Sequence, residues 1–153
     1  MLDISYLEFS LINNIKLSIF CLNVFKTKYF CGIPALLPNL LKINISKSKK
    51  PRCLNYNNKK VQKLLLNNLK TSKNINCEEI IPPKQVLSNC WFNTFFVTFF
   101  ISDKGRKFFK YFRQLMIQGK LINGIKLSTD LAKAFFMLNI AIEASTNHLL
   151  NNI

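Results

Sequence analysis

From Cys90 to Ile101 the chain reads CWFNTFFVTFFI, and its large apolar side chains point in every direction around a helix. Trp91, Phe92, Phe95, Phe96, Val97, Phe99 and Phe100 together cover almost the whole circumference. A helix that is apolar all round must be enclosed on every side, by protein or by lipid. A membrane span needs about 20 such residues. Pro82 and Pro83 stop any helix upstream, and Ser88 or Asn89 supplies an N-cap. The helix is therefore too short for a bilayer, and Asn93, Thr94 and Thr98 lie inside it. Burial in a protein core is the expectation, and the rest of the chain must supply the walls.

The downstream walls are the clearest. Ser102 or Asp103 caps a helix over KGRKFFKYFRQLMIQ that ends at Gly119. Phe108, Phe112, Leu115 and Met116 are expected to form its inner stripe, with Lys107, Lys110 and Arg113 toward solvent. KLINGIKL places Asn123-Gly124 between apolar residues, the signal of a type I′ hairpin. STDLAKAFFMLNIAIEAS is a last helix capped by Ser128 or Thr129, and the tail TNHLLNNI should fray.

Upstream, Val61, Leu64, Leu65 and Leu69 recur at helical spacing in NKKVQKLLLNNLKTS. SKSKKPRCLNYNN, residues 46–58, reads as a polar, basic linker. Residues 1–45 are apolar but interrupted by Asn13, Asn14, Lys16, Asn23 and Lys26, which leaves no membrane span. A loosely packed helix over Tyr6–Phe25 is expected there, with a place on a membrane surface as the minor alternative. Gly32, Pro34 and Pro38 then break the pattern. The organisation is an irregular segment over 1–45, a basic linker and short helix over 46–81, and a helical domain over 82–153.

With 153 residues, 14 of them Phe, the chain is long enough for a single core. Its heavy use of Asn, Lys and Ile is what an A/T-rich genome imposes, so part of the net charge of +15 is compositional background. The charge is nevertheless concentrated. Residues 42–73 carry Lys and Arg without an acid, and residues 102–127 carry them against Asp103 alone. Lys104, Arg106, Lys107, Lys110 and Arg113 would form a ridge for nucleic acid or an acidic protein, or simply a solvated face. There is no C-x-x-C and one His, so neither a metal nor a cofactor is expected. Asp3 and Glu8 argue against a secretory signal peptide. Cys21, Cys31, Cys53 and Cys77 read as ordinary reduced thiols of a cytosol-like compartment.

Cys90 differs from them by position. In the first turn of a helix, unpaired backbone N–H groups and the positive dipole end favour a thiolate. The same N–H groups suit the oxyanion of a tetrahedral intermediate. The pattern of Gln85, then Asn89-Cys90-Trp91-Phe92, resembles the active-site helix of papain-like cysteine peptidases. SNCWFNTFFVTFF also resembles the Cys box of ubiquitin-specific proteases, with Cys90, Trp91, Asn93 and Thr94 in the corresponding places. The continuation SDKGRKFFKYFRQLMIQGK is similar to proteins of large A/T-rich DNA viruses, predicted to be peptidases of this fold. The likeness covers about Pro82 to Ser145.

The resemblance implies Cys90 as nucleophile, with Gln85 or Asn89 as side-chain oxyanion donor. In both families that donor stands six positions before the Cys, where this chain has Lys84 and then Gln85. The general base of papain-like enzymes lies about 130–150 residues beyond the Cys. Here the sole imidazole is His148, in the tail and without an evident carboxylate or amide to orient it. The expectation is thus a mainly α-helical domain with a buried Cys-bearing helix and one short β-hairpin, like the helical half of a papain-like fold. Its function would be that of a fragmentary or degenerate viral cysteine peptidase acting on ubiquitin or another polypeptide, in host cytoplasm or virion. A non-catalytic basic module that binds nucleic acid or an acidic protein is the alternative.

Overall fold

The computed structural model describes residues 30–33, 37–46, 50, 52–71, 75–80 and 90–146. The segment Tyr6–Phe25, the caps Ser88 and Asn89, and the tail after Thr146 lie outside them. Within the described residues the chain is mainly helical. In chain order it runs β1 (Phe30–Ile33), β2 (Leu37–Asn44), β3 (Cys53–Asn55), α1 (Lys59–Thr71), a 3-10 turn (Cys77–Glu79), α2 (Cys90–Phe96), a wider π turn (Val97–Ile101), α3 (Asp103–Gln118) and α4 (Thr129–Ser145).

The three strands form an antiparallel sheet in the order β1-β2-β3. The stretch 46–58, expected as a linker, thus runs through the return strand of a hairpin. Buried Asn44 closes the connection, its Oδ1 accepting from the N–H of Ser46 at 3.0 Å and of Arg52 at 2.9 Å. Pro38 is tolerated in β2 because β3 pairs only with Lys42–Asn44, so the proline end has a neighbour on one side. A disulfide joins Cys31 of β1 to Cys53 of β3. That corrects the reading of these two as reduced thiols: sheet pairing brings together residues that sequence spacing leaves far apart.

The most enclosed helix is α4, not the Cys-bearing one. Nearly every residue of α4 from Ala134 to its end is buried, against α3, β2 and the π turn. α2 and its π extension bury one face, the row Phe92, Phe96 and Phe100, and leave Trp91 56% exposed with Phe95 and Val97 also open. The expectation of a helix covered on all sides is corrected here. Among the described residues, α3 reaches this segment through Phe109, which meets the rings of Phe99 and Phe100.

α1 places Val61, Leu65 and Leu69 in the core, as its spacing predicts, and Leu64 is half-buried. Ser102 caps α3 by accepting from the Gly105 N–H at 3.1 Å. At the other end Gly119, at φ 66°, closes the helix with N–H bonds from Gly119 to Met116 and from Lys120 to Leu115.

Between its ends, α3 is turned from the predicted orientation. Phe108 is 82% exposed and Phe112 is open, whereas Arg113 is only 3% exposed. The reason is a partner on α4. Arg113 donates from Nε to Asn139 Oδ1 at 3.0 Å and through a terminal nitrogen to Glu143 Oε1 at 2.9 Å. Glu143 accepts on its other oxygen from Asn68 of α1 at 3.2 Å. One fully buried carboxylate therefore ties three helices together.

The Asn-Gly connection also differs in type. The Leu121 carbonyl accepts from Gly124, and the Leu121 N–H donates to Ile125. Gly124 has a positive φ of 82°, and Asn123 Oδ1 accepts from the Ile125 N–H. This is a three-residue loop closed by a glycine bulge, rather than a two-residue turn. The flanking strands shrink to a single bridge between Lys120 and Lys126.

Candidate functional site around Cys90

Cys90 is the first described residue of α2 and carries an exposed, unpaired thiol. Its carbonyl accepts from the Thr94 hydroxyl at 3.0 Å. Trp91 stands beside it in an edge-to-face contact with Phe92, ring centroids 5.8 Å apart. Phe92 then stacks on Phe96, and Phe96 meets Phe100 at a tilt, so the turn that carries the thiol is anchored by a file of buried rings. The position is that of a group presented at a helix start from a rigid support.

The other catalytic candidates, Gln85, Asn89 and His148, lie outside the described residues. No group of three or more His, Cys, Asp or Glu suited to a metal is found among the described residues. No helix among them is long and apolar enough to cross a membrane. Two cavities of about 410 Å³ lie on either side of the Gly119–Leu127 connection, and neither is lined by Cys90.

The five basic candidates separate. Lys104, Lys107 and Lys110 are exposed along α3. Arg106 is half-buried and paired with Asp103. Arg113 faces the opposite way, into its buried ion pair, and is not part of the ridge. Glu143 and Asn139, which hold it, were not singled out from the sequence. The signal was present: an acid and an amide one helical turn apart inside the apolar run FFMLNIAIEA. No protein-family profile, curated protein or solved structure matches this chain.

Proposed function

We propose that this chain is the helical, nucleophile-bearing part of a papain-like cysteine peptidase resembling the ubiquitin-specific proteases, with Cys90 as nucleophile. The observation that carries the reading is the exposed Cys90 thiol at the near end of the described part of a helix whose far face is locked into the core. In that chemistry the sulfur attacks an amide or isopeptide carbonyl, the amine leaves after taking a proton, and water releases the acyl group. Gln85 or Asn89 would steady the oxyanion. The base would be His148 or a group supplied by a further segment of polypeptide. Ubiquitin or another polypeptide is the substrate class that goes with the Cys box. The Cys31–Cys53 bridge favours the virion over the reducing host cytoplasm as the setting.

Treatment with a ubiquitin probe bearing a C-terminal electrophile tests this. Intact mass spectrometry should find one adduct, mapped to Cys90 and absent from Cys90→Ser. Labelling spread over Cys21, Cys77 and Cys90 alike, or no labelling beyond that by a small alkylating agent, removes the reading.

The exposed lysines of α3 favour one second reading, a module bound to nucleic acid or an acidic protein. They alternate with the exposed rings of Phe108 and Tyr111, a pattern suited to polyanions with stackable groups. Binding to single-stranded DNA should then weaken steeply with salt, and Lys104→Gln with Lys107→Gln should flatten the slope by about two ions. Salt-independent binding, or none, counts against it.

A further inference from the structure

The second cavity beside the Gly119–Leu127 connection is a groove with an almost wholly apolar lining. Phe112 and Leu115 of α3 form one wall, Leu121, Ile122 and Leu127 the other, and Phe135 of α4 the floor. Ile122 is 81% exposed at the rim. The apolar surface continues away from the groove through ring contacts, Phe112 to Phe109 at 6.2 Å, Phe109 to Phe99 at 4.9 Å and Phe99 to Phe95 at 4.6 Å. Phe109 and Phe99 are partly buried in this file, whereas the groove itself is open, and an exposed apolar groove marks a surface that something covers.

The border identifies the occupant. Lys120 lines the groove and no carboxylate does. Exposed Lys126 pairs with Lys120 across the bridge that closes this connection. We infer that this groove docks a short acidic segment of another polypeptide, seating a bulky apolar side chain between Phe112 and Ile122 while its carboxylates meet the lysines. A second copy of the chain would bring its own charge of +15 against that rim. A lipid surface receives protrusions rather than filling a concavity. A nucleic-acid backbone would want its cations at the centre, where this surface is apolar. Cys90 is not among the lining residues, so the inference stands apart from the peptidase reading.

A display library of short random peptides, selected on the full chain, tests it. The enriched peptides should pair a Leu, Phe or Trp anchor with flanking Asp or Glu. Resynthesised with fluorescein, they should bind about tenfold or more weakly to Ile122→Glu, the scale expected of a lost anchor pocket. Lys120→Glu should weaken them as well, with circular dichroism of both variants unchanged. Neutral or basic consensus peptides, no enrichment, or affinities indifferent to Ile122→Glu overturn the inference. So does a surface that Ile122→Glu blocks for phosphatidylserine–phosphatidylcholine vesicles, duplex DNA or self-association by sedimentation while peptide binding is absent.

Discussion

Glu143→Ala should lower the stability of this protein by about 3–5 kcal/mol, the cost of leaving one member of a buried ion pair alone. Glu143 is fully buried and both its oxygens are used, one by Arg113 and one by Asn68. Its removal leaves a guanidinium enclosed with Asn139 as its remaining named partner. Arg113→Ala should cost a similar amount by stranding the carboxylate. The double replacement Arg113→Met with Glu143→Leu should be milder than either, because no charge is left buried alone, although Asn68 and Asn139 each lose one hydrogen bond. Urea unfolding followed by circular dichroism measures all three. Single variants within about 1 kcal/mol of the parent would put the pair in the class of solvent-exposed bridges and overturn this account of how α3 is oriented.

Gly105→Ala should also destabilise, by about 3 kcal/mol, although helix propensity alone favours alanine by about 1 kcal/mol. A methyl at Gly105 would stand 2.6 Å from the Phe99 carbonyl oxygen and closer still to that of Thr98. Both are backbone atoms of the wide turn between α2 and α3, where the Ser102 N–H reaches back five residues to Val97 and the Ser102 hydroxyl donates to Thr98 at 2.6 Å. A flexible side chain could step aside. A hydrogen-bonded main chain moves only by reopening the turn, so steric cost outweighs propensity. A melting temperature lowered by about 6–12 °C is the corresponding thermal result for a chain of this size. A rise would show that the two helices part easily at this point.

The parts of the fold written into local chemistry were legible in the sequence. Ser102 and Gly119 delimit α3, Ser128 opens α4, and Val61, Leu65 and Leu69 mark the inner face of α1. What failed were choices settled by distant partners. α3 carries two apolar stripes, one through Phe108 and Phe112 and another through Phe109 and Met116. Only Glu143 on another helix decides that Arg113, beside the second stripe, turns inward. The sheet was hidden for a related reason. Its pairing shifts register between Phe30 and Cys31, and β3 is three residues long, so no run of alternating residues betrays it.

The cross-link between β1 and β3 and the thiol at the start of α2 make opposing demands on their surroundings. A bath reducing enough to open the Cys31–Cys53 loop leaves the small sheet to its hydrogen bonds and to Ile43 in the core. A bath oxidising enough to keep that loop closed carries an exposed Cys90 toward sulfenic acid. A closed loop and a free Cys90 thiol are thus favoured by opposite conditions.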